Sequence, residues 1–233
     1  MNQTREHTRS FDTHTSLADQ VFEVLKRDIV ENRLPPETIL AEINVASQFG
    51  VSRAPSREAL KRLATLGFVR AIPRLGYMVT SISLHDFDEI IALRLVLEPL
   101  AVELAVPRLT DQNLDELEAI ARRTLNVESE PPETHGTLYA QLNASFHRQI
   151  AEASGNRRLA SMISNLIDQL ERLMHTLAYS GNIRLVLNQH LELVEEMRTR
   201  DAISSSRLMR AQLEQDYQLM RELTSPTTGT AAI

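Results

Sequence analysis

The 233-residue sequence predicts a mainly α protein, an N-terminal winged helix-turn-helix followed by a C-terminal all-α helical bundle. Three observations predict it. Apolar residues recur at helical spacing in three short stretches between Leu17 and Leu66. The pattern turns to alternation only between Phe68 and Ser81. From His85 to about Thr224 helical periodicity returns, broken only by prolines, glycines and short polar turns. Residues 1–15 are polar and predicted to be a disordered tail, 16–81 the winged helix, 82–224 a six-helix bundle, and 225–233 a flexible tail.

In the first domain, Leu17, Val21, Phe22, Leu25 and Ile29 share one helix face, and Leu34-Pro35-Pro36 stops that helix. Leu40 to Phe49 predicts a second, short helix with Ile43 and Ala46 facing inward, and Gly50 ends it. Ser52 is placed to cap the third, where Pro55 in the first turn costs little. Two helices joined around a glycine, the second one basic, form a helix-turn-helix. Phe68 to Ile72 and Tyr77 to Ser81 predict two strands joined by a turn at Pro73-Arg74-Leu75-Gly76, a hairpin wing.

In the second domain six helices are predicted, at about 85–106, 111–127, 134–153, 156–179, 182–199 and 201–224. They are separated by Pro107, Pro131-Pro132, Ser154-Gly155, Gly181 and a turn near Arg200. Inward-facing positions of such a bundle are free to build a ligand site.

The net charge of −6 is unevenly spread. Residues 1–80 hold 11 Lys+Arg against 9 Asp+Glu, net +2, and the rest holds 14 against 22, net −8. Between Arg53 and Arg74 six basic residues meet one acid, Glu58. Such asymmetry predicts a polyanion-binding end joined to something else. The chain has no cysteine, which excludes disulfides and thiolate catalysis. No apolar run approaches the ~18 residues of a bilayer span, and the polar start lacks a secretory h-region. The expected location is cytoplasmic, with no membrane partner.

Arg53, Arg57 and Lys61 fall on successive turns of the third helix and make one basic stripe. In a winged helix this helix enters the major groove of double-stranded DNA by its N-terminal end. Arg53 and Arg57 can fork onto guanine or phosphate, Ser52 and Ser56 can donate to phosphate, and Lys61 is a point charge. Arg74 at the wing tip suits phosphate or a minor-groove edge, beside Gly76. No HExxH spacing, glycine-rich phosphate loop or nucleophile–base constellation points to an enzyme.

Residues 17–81 resemble the DNA-binding domain of the GntR family of bacterial transcription regulators. The residues that carry the likeness are Leu34-Pro35-Pro36, Leu40, Glu42, Gly50-Val51-Ser52-Arg53, Pro55, Arg57-Glu58-Ala59-Leu60, Leu63, Gly67, Val69, Pro73, Arg74 and Gly76. The family's basic residue near Ile39 is missing here, and with it a phosphate contact. Arg94-Leu-Val-Leu-Glu98-Pro99, Asn143-Ala-Ser-Phe146-His147, Ser154-Gly155-Asn156 and Gln189-His190 resemble the FCD ligand domain of the FadR-like branch, in its six-helix, VanR-like form.

That resemblance implies a homodimer on a pseudo-palindromic operator, controlled by a small carboxylate effector and in most members repressing. It also implies a zinc or nickel ion between an Asp and three His. Carried onto this chain, those positions are Asn143, His147, His190 and Gln212, with Arg94 facing the effector carboxylate. The metal would fall to His147, His190 and Asn143. Two of the four ligands have become amides, which are weak donors to transition metals. The same four residues can instead hydrogen-bond an effector directly. An effector-blind architectural binder and a metal-dependent hydrolase using His147 and His190 are the alternatives.

Overall fold

A computed structural model describes residues 16–131, 134–178 and 189–224, so both expected tails and the break at Gly181 lie outside the described residues. The chain forms two compact units, Met1–Ser81 and Ile82–Ile233.

In the first unit α1 (Leu17–Val30) starts at Ser16, whose hydroxyl accepts from the Asp19 amide. It is followed by β1 (Ile39–Leu40), α2 (Glu42–Phe49), α3 (Arg53–Thr65), β2 (Val69–Ile72) and β3 (Gly76–Val79). Gly50 ends α2 with φ 64°, a left-handed conformation natural for glycine. The buried side chains of α1, α2 and α3 meet in one core of Phe22, Leu25, Phe49, Leu60, Leu63 and Phe68, closed by Val69 and Val79 of the sheet. Arg62 fastens α3 to α1. Its guanidinium lies 4.2 Å from the Phe22 ring centroid and donates to Asp19 at 2.5 Å.

Three expectations are corrected here. The sheet has three antiparallel strands in the order β1-β3-β2, and Leu40 opposite Tyr77 belongs to it, not to the second helix. The cause is tertiary: the Glu37 amide donates to Val79 O and the Val79 amide to Thr38 O, which holds the chain extended up to Leu40. Helix α2 consequently starts at Glu42 and turns Ile43 outward, 53% exposed, while Val45, Ala46 and Phe49 face the core. Ser52 stands at the N-cap of α3 but makes no side-chain cap bond.

The second unit contains α4 (Leu84–Ala105), α5 (Asp111–Leu125), a short 3-10 turn (Val127–Ser129) absent from the sequence reading, α6 (His135–Ala153), α7 (Arg157–Ala178), α8 (Gln189–Arg198) and α9 (Ala202–Thr224). Ser83 and Asp86 close a capping box on α4, and Thr110 and Asn113 do the same on α5. Helix α4 is central: it packs against α6, α7 and α9 and so buries side chains on several of its faces. Among them are Phe87, Ile91, Ala101 and Val102, and also the charged Arg94 and Glu98.

Candidate functional site

The sequence marks two regions, one in each unit. On α3, Arg53 and Lys61 are exposed and have no ion-pair partner among the described residues. Arg70 on β2 and Arg74 in the wing turn are exposed likewise. Arg57 is exposed but committed, its Nε donating to the Glu42 carboxylate at 2.9 and 3.1 Å. With Arg62 held by Asp19, the cations of α3 and the wing that are open to a polyanion are Arg53, Lys61, Arg70 and Arg74.

Two candidates change role. Ser56 is fully buried, and its hydroxyl lies 3.4 Å from Ser52 O, so it cannot donate to phosphate. Positions 56, 59, 60 and 63 share the buried face of α3, and a small side chain at 56 keeps the helix close to the core. Gly76 has φ 117°, and a Cβ there would meet Leu40 O at 2.5 Å. Its place in the sequence is explained by the close crossing of β3 and β1, a structural duty.

In the second unit the structure brings Arg94, Glu98, Asn143, His147, His190 and Gln212 onto four facing helices. Arg94 and Glu98 are 3% and 2% exposed. Arg94 Nε donates to Glu98 Oε1, and Glu98 Oε2 lies 2.6 Å from His147 Nδ1, within ion-pair distance but not aligned as a hydrogen bond. Burial by itself would raise the Glu98 carboxyl. The charges of Arg94 and His147 overcome it and hold the carboxyl at about 2, so Glu98 is ionised at neutral pH. Arg94 Nη2 is buried and has no partner.

The His190 ring stacks on Phe146 with centroids 4.1 Å apart and meets His147 edge-on at 5.2 Å. Loss of water, then the neighbouring His147 and Arg94, hold His190 well below the usual histidine range, so it is neutral at pH 7. Gln212 Nε2 donates to Gln189 O at 2.7 Å, which ties α9 to the start of α8. Asn143 is buried on α6, one turn before His147.

Two residues that sequence reasoning missed belong to the same cluster. Asp216 follows Gln212 by one turn on α9, and its Oδ1 is buried without a partner. Burial raises its carboxyl to about 6, against the opposing pull of Arg94 and His147 and with a smaller push from Glu98. Tyr139, one turn before Asn143, is buried, and loss of water followed by the charge of Asp216 pushes its hydroxyl well up. The i,i+4 spacing of Gln212 with Asp216, and of Tyr139 with Asn143, was the available signal.

Asp216→Asn tests this placement. A folded-state value raised above 3.8 means the protonated carboxyl is preferred in the fold. Its contribution is favourable below about 3.8 and is lost as pH rises through about 6. The variant is expected to match the parent near pH 4 and to be more stable at pH 7.5, by about 1–3 kcal/mol. Thermal melts across pH 4–8 read this, and a difference independent of pH would place Asp216 in water.

The four family positions make a poor donor set for a zinc or nickel ion. A carboxylate on His147 Nδ1 is the outer-shell partner a metal-bound histidine often has. Beyond the two imidazoles, however, the remaining family positions are neutral amides. Among the described residues no group of three or more His, Asp or Glu is placed to hold a metal.

Comparison with known proteins accounts for both units. Residues 17–79 match the model described as bacterial regulatory proteins, gntR family, and residues 89–215 match the FCD domain. The chain is 30% identical over 209 residues to the HTH-type transcriptional regulator YdhC of Bacillus subtilis, covering 88% of this chain and 91% of that one. It is 25% identical to the HTH-type transcriptional repressor RspR of Escherichia coli, over 88% of this chain and 89% of that protein. The solved structure of E. coli McbR/YncC superposes with a TM-score of 0.74 at 27% identity, over 91% of this chain and all of that one.

Proposed function

The chain belongs to the GntR family of bacterial transcription regulators, with an FCD domain as its second unit, and from that premise we propose a ligand-controlled repressor that binds a two-fold operator as a homodimer. It is a regulator and not an enzyme. Among the described residues no helix is long and apolar enough to cross a membrane, which agrees with work on DNA in the cytoplasm. Repression is favoured by likeness to RspR, whose name describes a repressor.

The observation that carries effector control is the partnerless, buried Nη2 of Arg94. A buried guanidinium donor left unmade costs free energy, and an incoming carboxylate satisfies it. His147, His190, Asn143 and Gln212 line the same cluster, and the effector is held by them and Arg94 directly, without a metal. Because α4, α6, α8 and α9 all contribute, a ligand favours one arrangement of these helices over another. It controls DNA binding only through that difference. A second copy has a place to dock: Leu93, Val96 and Leu100 make an exposed apolar stripe on α4, with Met162 exposed on its neighbour α7.

On the DNA side Arg53 reads bases while Lys61 and Arg74 hold phosphate. Arg53→Ala is expected to cost roughly 1–3 kcal/mol and to relax preference at one base position. Lys61→Ala should weaken all sequences alike and lower the salt slope by about one. Fluorescence anisotropy on operator and scrambled duplexes at several salt concentrations separates the two. Unchanged operator affinity in Arg53→Ala would mean that α3 does not enter the groove by its N-terminal end.

A further inference from the structure

Two buried atoms of opposite character stand unsatisfied in the same cluster. Arg94 Nη2 is a cationic donor and Asp216 Oδ1 an anionic acceptor. Each feels the other's charge, yet no ion pair joins them. A direct Arg94–Asp216 bridge would satisfy both, so this geometry holds a donor and an acceptor apart. Glu98 has already taken up the charge of Arg94 through Nε, and its second oxygen faces His147. Asp216 Oδ1 therefore has no hydrogen-bonding partner among the described residues.

Whatever completes the cluster must bring an acceptor to Arg94 and a donor to Asp216. A simple carboxylate supplies the first and places a second negative charge beside Asp216, which is unfavourable in a buried site. A hydroxy carboxylate adds a neutral donor but leaves the same excess charge. An amino carboxylate supplies both ends and brings no net charge. The remaining polar groups, Tyr139 and Asn143 on α6 and Gln212 on α9, are neutral and fit the middle of such a molecule. We propose that Asp216 is the ammonium-recognising residue of this site, and that the effector is an amino carboxylate held with its carboxylate on Arg94 and its ammonium on Asp216. This rests on the effector reading given above and adds the second pole of the ligand. The two poles sit on different helices, α4 and α9, so such a ligand bridges them.

The test uses the full chain in EDTA and three sets of near-isosteric probes that differ only in the donor beside the carboxylate. They are propionate, L-lactate and L-alanine; succinate, L-malate and L-aspartate; and 4-methylpentanoate, 2-hydroxy-4-methylpentanoate and L-leucine. Binding is measured by thermal shift and calorimetry. In the set that fits, the amino member is expected to bind tightest, about tenfold or more over the unsubstituted acid, as a charge-assisted hydrogen bond supplies. Asp216→Asn, which is expected to fold stably at pH 7.5, should bring the three members of that set to within about threefold. Equal binding of all three by the parent protein, or an ammonium preference that survives in Asp216→Asn, overturns the inference and leaves the carboxylate reading intact. Stabilisation by no probe defeats the effector reading and the inference together, in favour of an effector-blind DNA binder. Stabilisation that appears only when zinc replaces EDTA defeats both the metal-free site and the inference.

Discussion

Glu98→Ala is expected to destabilise the helical unit by about 3–5 kcal/mol, the cost of breaking a buried ion pair from one side. The magnitude follows from what is left behind. Arg94 is 3% exposed and always charged, and without Glu98 its guanidinium would have no counter-ion on α4. His147 would lose the same carboxylate from Nδ1. Replacing Arg94 and Glu98 together, as Arg94→Met with Glu98→Leu, should recover most of the loss, since well-packed apolar residues often substitute for buried pairs without penalty. Denaturant unfolding followed by far-ultraviolet circular dichroism reads both. A loss below about 1 kcal/mol in Glu98→Ala would mean that water reaches the pair and screens it.

Gly76→Ala is expected to cost the winged helix roughly 2–4 kcal/mol through strain and overpacking. At φ 117° an L-residue is strained whatever its surroundings, and here the added Cβ also meets the backbone carbonyl of Leu40 at 2.5 Å. Neither side can yield easily, because Leu40 is fixed in β1 opposite Tyr77. The strand pair should separate and take the wing turn with it, so operator affinity falls although Gly76 has no side chain to offer DNA. Gly50→Ala is the control. Its φ of 64° is strained for alanine, but nothing lies within 4 Å, so the cost should stay near 1 kcal/mol. Equal effects of the two substitutions on melting temperature would refute the crowding argument.

The helices were legible because most carry a local signal, a cap, a breaker or a repeating apolar face. β1 was not, because two residues cannot show alternation, and Leu40 is extended only through bonds to a strand nearly forty residues later. The inward direction assigned to Ile43 failed for the same reason, since the helix phase depends on where β1 releases the chain. At the ligand cluster the family positions were readable as a pattern, but their physics was not. Arg94 and Glu98 at four-residue spacing look like any surface pair, and only the packing of α6, α7 and α9 around α4 makes them buried. Asp216 was marked only by its four-residue spacing from Gln212, which by itself does not separate it from the other charges along α9. Its character comes first from burial, then from the charges of Arg94, His147 and Glu98, all far away along the chain.

The clasp between Arg57 and Glu42 bears on how a protein of this kind finds its site. A guanidinium already holding a carboxylate has little to gain from an arbitrary phosphate, and the carboxylate repels the duplex it approaches. Both effects shorten the time spent on each wrong position, so scanning of a long chromosome would be faster than with Arg57 as a fifth free cation. Only where the duplex offers Arg57 a partner better than Glu42 is the exchange downhill. On the DNA-binding reading proposed above, Glu42 sets a threshold, trading some strength at the right address for less delay at all the others.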